Sequence, residues 1–217
     1  MYTFDHDLFL ALNFDGGNLV DKLMLAISGT PLWIPLYLFI FWLVQRNYGW
    51  KALGIFVLLL AASMGLADMV AGIFKHSGPF GGLLPQLEPR WRPMFEPALE
   101  GLMITPDSLR TLREGALLAT PEVHVPIEAL GGRFGTVSAH ASTVWALCIL
   151  SSKVIRRNWF TILMVCCTLL ICYSRIYLAK HYPMDILWGS LLGVVLGLIA
   201  ARLFAHFTKR RSRFAIR

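Results

Sequence analysis

"MDILWGSLLGVVLGLIAARLFAHF", residues 184–207, decides the fold. Between Asp185 and Arg202 no residue carries a charge. A helix of roughly 20 apolar residues is long enough to cross the hydrocarbon of a bilayer. Working outward, four more runs read the same way: residues 31–44, 52–74, 138–154 and 159–178. A sixth could be built from residues 8–28, but Asn13, Asp15, Asp21 and Lys22 make it a poor one. The reading is an all-α integral-membrane bundle of five or six transmembrane helices, formed by a single domain over residues 1–217.

Composition agrees. The chain is 56% hydrophobic and 15% charged, whereas soluble domains run at about 45–50% and about 25%. Asp5 and Asp7 stand where a secretory leader carries Lys or Arg, so the start does not read as a cleaved signal. Phe4, Leu8, Leu10 and Leu12 suggest an amphipathic stretch at the membrane surface. Cys148, Cys166, Cys167 and Cys172 lie inside apolar runs with neither zinc nor disulfide spacing, and read as small apolar side chains.

The net charge of +7 is concentrated. Arg46 and Lys51 flank one turn, and Lys153, Arg156 and Arg157 flank another. Arg202, Lys209, Arg210, Arg211, Arg213 and Arg217 crowd the tail. Five spans put all three clusters on one side, which the positive-inside rule makes cytoplasmic. These charges sit beside spans rather than on a folded basic face, so the expected partners are the bilayer and a membrane lipid, with no nucleic acid and no obligate protein partner. Residues 76–137 then form a long extracytoplasmic loop. Within it Thr105, Pro106 and Gly115 mark the cap, first position and stop of a short helix.

Three polar islands fall at span ends on that outer side. One holds Lys75 and "EPRWRP", with Arg90 and Arg92. A second is "GTVSAHAS", with Ser138 and His140. The third is "SRIYLAKHYPMD", residues 174–185. A charge such as Arg175 at membrane depth faces a cavity or a partner. A carboxylate at Asp185 would accept from one ring nitrogen of His181 and leave the other free to attack. Lys75, Arg92 and Arg175 suit a tetrahedral anion. Ser138 and the amides at the start of the third span add neutral donors, and His140 can supply a proton. Lys180 reads as snorkelling to lipid heads. Asp68, in mid-span, reads as an interhelical hydrogen bond, or alternatively as a polar cavity wall. His6, His76, His124 and His206 read as surface residues.

These islands resemble the signature of the type 2 phosphatidic acid phosphatase superfamily. Ser174, Arg175, His181 and Asp185 fit S-R-x5-H-x3-D. "VSAH" fits P-S-G-H loosely, and Lys75 with Arg92 and Pro93 resembles K-x6-R-P. The resemblance implies a lipid phosphatase needing neither metal nor cofactor. His181 would become a phosphohistidine, with Asp185 orienting it and His140 protonating the leaving oxygen. Lys75, Arg92, Arg175, Ser138 and the Ala139 amide would hold the phosphate. "RPMFEPALEGL" resembles small bacterial members acting on lipid A or on polyprenyl carriers such as undecaprenyl diphosphate. Phosphatidylglycerophosphate is a further candidate, and a non-hydrolytic anion transporter or scaffold is the rival class. A vanadium haloperoxidase shares the constellation but is soluble. The expected location is the bacterial inner membrane, with the site facing the periplasm.

Two departures stand out. Sixteen residues, 76–91, separate Lys75 from Arg92 where the family has six. Either the insert loops out and Lys75 keeps its place, or another group replaces it; looping out implies that a shortened insert keeps activity. Val137 and Ala139 replace Pro and Gly of the second motif.

Overall fold

The computed structural model describes residues 2–96 and 123–212, with side chains at 4–96 and 123–208. The helix expected near Thr105 lies outside these residues. Among them are seven α-helices: α1 Tyr2–Leu12, α2 Gly17–Ser28, α3 Ile34–Tyr48, α4 Trp50–Phe74, α5 Ala139–Ile155, α6 Asn158–Tyr177 and α7 Pro183–Ser212. The described residues contain no strand, only an isolated bridge between Trp91 and Phe134.

All five expected spans are helices, α3 to α7. Trp50–Phe74, Asn158–Tyr177 and Pro183–Thr208 are long and apolar enough to cross a membrane. A fourth crossing arises if α2 and residues 31–48, bent by 66°, count as one broken span. α5 is apolar but only 17 residues long. Among the described residues, length and apolarity alone admit three or four crossings. The outer surface is apolar, as a lipid-facing surface must be: Leu19 is 83% exposed, Trp50 75% and Leu58 71%.

The region 8–28 is not one helix. Asn13, buried in the break between α1 and α2, donates to the carbonyls of Ile176 and Tyr177 and of His124. It thereby satisfies carbonyls left over at the C-terminal end of α6. α1 is also less superficial than expected. Phe4 faces out, but Asp5 and Phe9 are fully buried, Phe9 edge-on to Tyr182 at 5.4 Å.

The closest helix pair is α5 with α7, and its cause is a stripe of small residues. A Cβ added at Gly189 would lie 2.5 Å from the Ser138 carbonyl oxygen, and one at Gly197 2.9 Å from that of Ala146. Gly193 meets the Ser142 carbonyl in the same way. With no side chain at every fourth position the two backbones come into contact, the usual solution where lipid supplies no hydrophobic drive between helices. This contact sets the start of α5 beside the start of α7, with the Ser138 N–H donating to the Asp185 carbonyl at 3.2 Å.

Candidate active site

α6 ends in a turn that carries His181. Ala179 takes a left-handed conformation, φ 50°, unusual for a residue with a side chain. That bend returns the amides of Lys180 and His181 to the Arg175 carbonyl, at 3.0 and 3.3 Å. The helix is thus closed by a left-handed C-terminal cap, and His181 is delivered fully buried at the mouth of the bundle.

Nδ1 of His181 lies 2.9 Å from the Gly135 carbonyl oxygen. A carbonyl only accepts, so Nδ1 holds the proton and a neutral ring has its lone pair on Nε2. Burial first, then Arg175, Lys75 and Arg92, hold the His181 imidazole well below its usual range, so the ring is neutral.

Asp185 does not hydrogen-bond the ring directly. Its Oδ2 is 3.7 Å from Nδ1, beyond a hydrogen bond. Oδ2 accepts instead from the Tyr182 N–H at 3.1 Å, and Oδ1 faces Arg90 Nη1 at 3.5 Å. The reason is helix capping. α7 begins at Pro183, so Asp185 is its third residue and reaches back to the residue before the helix, one half of a capping box. Asp5 accepts from the Met184 N–H at 3.0 Å. Two carboxylates thus take the orphan donors of this helix start, where negative charge is favoured. Asp185 fixes the turn that bears His181, and the Gly135 carbonyl fixes the ring.

The cations converge. Lys75 caps the end of α4. Burial, with Arg92 and Arg175 nearby, holds its ammonium down at about 8, against the opposing pull of Asp185 and Asp68. Arg92 is anchored by carbonyls of the loop "GGRFG": its Nε donates to Phe134 at 3.2 Å and its Nη1 to Gly131. A Cβ at Gly132 would meet the Arg92 guanidinium at 2.9 Å, so the loop needs glycine there. Burial pushes the Arg92 guanidinium below its usual range. Arg175 is 5% exposed, and its Nη1 donates to the Ser28 hydroxyl. Its Nε is buried without a hydrogen-bond partner among the described residues. Lys180 is half-buried rather than snorkelled away. Burial, then Arg175 and Arg92, bring its ammonium to about 8.

His140 lies within electrostatic reach of Arg175, Lys180, Lys75 and Arg92. It lines a cavity of about 410 Å³ with Ala139, Asp68, Trp33 and Leu60. A second cavity, about 320 Å³, is lined by Lys75, Ala139, Asp68 and residues 77–80. Ala139 and Asp68 are common to both. Asp68 forms no hydrogen bond among the described residues, so the cavity-wall alternative describes it better than an interhelical bond. Ser138 is fully buried and spends its hydroxyl oxygen on the Ala141 N–H at 3.3 Å as the α5 N-cap.

Of the two alternatives, the first describes the insert 76–91, which adds Arg90 on Asp5 and Asp185 without replacing Lys75. Lys75 stays with Arg92 and Arg175, and the insert supplies Arg90. A shortened insert that removed Arg90 would lose its bond to Asp5. Two histidines also differ from the surface placement expected of them. His6 stacks on Tyr182 at 4.9 Å. His124 bonds Asp21 at 2.8 Å, and Asp21 also accepts from the Tyr177 hydroxyl at 2.6 Å. Asp15, Asp21 and His124 bring ligand atoms within 4.8 Å of one another. Their hydrogen bonds already tie α2 to α6, and none of them belongs to the cationic cluster.

A sequence profile described as the PAP2 superfamily matches residues 56–209. The chain belongs to that superfamily. It is also similar to two lipid A 4'-phosphatases. That of Bacteroides thetaiotaomicron is 27% identical over 191 residues, covering 87% of this chain and 72% of the relative. That of Porphyromonas gingivalis is 24% identical over 207 residues, covering 95% and 75%. No solved structure matches the chain. The protein is thus a multi-pass membrane phosphatase of the PAP2 superfamily.

Proposed function

We propose that the protein removes a phosphate from lipid A through a phosphohistidine on His181, at the periplasmic face of the bacterial inner membrane. The observation that carries this reading is a buried, neutral His181, proton on Nδ1, inside a ring of four cations: Lys75, Arg92, Arg175 and Lys180.

Nε2 attacks phosphorus, and the bond from phosphorus to the lipid oxygen breaks. The bound phosphate offsets the cations around His140, which as imidazolium then gives its proton to that oxygen. His140 then takes a proton from water, whose oxygen displaces Nε2 and releases inorganic phosphate. The four cations hold the non-bridging oxygens as charge builds on them. The unpartnered Nε of Arg175 is a donor suited to one of those oxygens. The mostly apolar cavity at His140 supports sideways entry of a lipid from the bilayer.

Similarity to the two lipid A 4'-phosphatases supports the substrate. Orientation is supported by the cationic clusters, because the Tyr48 hydroxyl donates to the Val154 carbonyl. That bond ties the Arg46 end of α3 to the Lys153 end of α5, away from His181.

The test is hydrolysis by purified protein of lipid A, undecaprenyl diphosphate and phosphatidylglycerophosphate, together with lipid mass spectrometry of cells with and without the gene. Lipid A that keeps its phosphate when the gene is lost is the expected result. Preference for either other lipid overturns the substrate. In a cysteine-free background, Ser77→Cys should label from outside intact cells and Ser212→Cys should not.

A further inference from the structure

α6 and α7 both pack against α5 yet scarcely touch each other. At the end of the bundle away from His181, the cleft between them opens into a cavity of about 970 Å³. α5 is its floor. The side toward the bundle middle is apolar, with Val165 on α6 and Leu198 on α7. The terminal side carries Lys153, Arg156 and Arg202, and no carboxylate lines the cavity. None of the three cations forms an ion pair among the described residues. The first turn of α6 contributes Asn158 and Thr161, and this helix start has no side-chain cap, so its amides add to the positive field.

We propose that this cleft binds one anionic phospholipid, a site separate from the catalytic one. The phosphate sits among Lys153, Arg156 and Arg202 at the start of α6. One acyl chain lies along Val165 and Leu198. The occupant follows from the shape and charge together. A cleft between two lipid-facing helices opens sideways into the bilayer, and its apolar half needs a chain. Its polar half has uncompensated positive charge, which favours an anionic over a zwitterionic head group. The cleft holds no histidine or carboxylate to activate its Cys148, Ser152 or Thr161 side chains, so the lipid is a structural ligand rather than a substrate.

The experiment is native mass spectrometry of the full-length protein in neutral detergent. Phosphatidylglycerol is titrated against phosphatidylcholine and against glycerol 3-phosphate. One retained phosphatidylglycerol is expected, with the triple variant Lys153→Gln, Arg156→Gln, Arg202→Gln binding it at least about tenfold more weakly. Ala201→Trp keeps every charge and fills the cleft, and should lose the lipid while its circular dichroism stays unchanged. Equal retention of phosphatidylcholine, or unaltered binding by both variants, overturns the proposal. So does glycerol 3-phosphate binding as tightly as the lipid, which would make the site one for a free phosphate. A dimer mass abolished by either variant would place a second copy in the cleft and overturn it too. None of these readouts depends on turnover.

Discussion

Asp5 and Arg90, 85 residues apart in the chain, meet at 2.5 Å, and the same guanidinium nitrogen faces Asp185 at 3.5 Å. The Arg90 guanidinium also lies over the Tyr182 ring, 3.6 Å from its centroid. One cation thus holds together the first helix, the insert after α4 and the turn that presents His181.

Breaking this pair should be costly from either side. Both groups are largely buried, with side chains 3% and 14% exposed, and removing one partner of such a pair costs about 3–5 kcal/mol. Asp5→Asn and Arg90→Gln are each expected to lower the melting temperature and turnover. In the double variant the losses should be less than additive. Additive losses in thermal melts would mean the two residues do not act as a pair.

Replacing His181 by Ala should abolish turnover and trapping of labelled phosphate on the protein, for good and poor leaving groups alike. His140→Ala should spare activated esters, which need little protonation of the leaving oxygen, and block alkyl monoesters. Gly135→Ala belongs in the same assay. Its Cβ would stand 3.3 Å from His181 Nδ1 and 3.2 Å from Arg92 Cγ, so slower labelling is expected with the nucleophile still present. Normal labelling of His181→Ala protein would remove it from the role.

The lysines give a pH signature. Burial first, and neighbouring guanidinium groups next, hold Lys75 and Lys180 at about 8 in the folded protein, from an ordinary 10.5. Below pH 8 both are charged in both states, and the empty fold bears the full penalty. Between about 8 and 10.5 the folded chain sheds protons that the unfolded chain keeps, so these two groups make stability rise with pH. Phosphate binding should move oppositely, because the charge it needs is being lost. The value of kcat/KM is therefore expected to fall through pH 8 while ligand-free stability gains. Lys180→Arg should carry that fall to higher pH; an unchanged profile in both lysine-to-arginine variants would dissociate the lysines from phosphate binding.

Gly193→Ala inserts a methyl group into the Ser142 carbonyl across the closest helix contact. Overpacking of this kind costs about 1–3 kcal/mol, and it should also part Asp185 from the start of α5. Loss of both melting temperature and turnover is expected. A variant that melts and turns over normally would show that the contact has slack.

The spans were legible because an uncharged apolar run long enough to cross hydrocarbon is rare in a chain that folds in water. Most observed boundaries, such as Trp50 for 52 and Pro183 for 184, differ by a residue or two, while α3 is shifted by three to four and α7 runs five residues further. Arg175, His181 and Asp185 were legible because their spacing is tied to one turn between two helices. Gly135 was not, since its contribution is a backbone carbonyl, which has no residue signature; the density of glycine in "GGRFG" was the available clue. Arg90 and Lys180 were passed over for a different reason. A basic side chain near a span end is usually solvated, and only the fold shows which of them turn inward. Asp5 was hidden likewise, as a charge on a short amphipathic helix reads as exposed.

The glycine stripe of α7 also dictates a sequence of events. α5 is made and inserted before α7, and until α7 arrives the Ser138 and Ser142 carbonyls have no backbone against them. The helix that fills that place starts at Pro183, directly after the His181–Tyr182 pair. The proposed nucleophile, His181, is therefore synthesised after α1 to α6, and its alignment waits on the docking of α7. A nascent or truncated chain has the lipid-facing exterior of the enzyme without its chemistry. Activity should appear in a single step late in biogenesis, and not grow gradually as helices accumulate in the membrane.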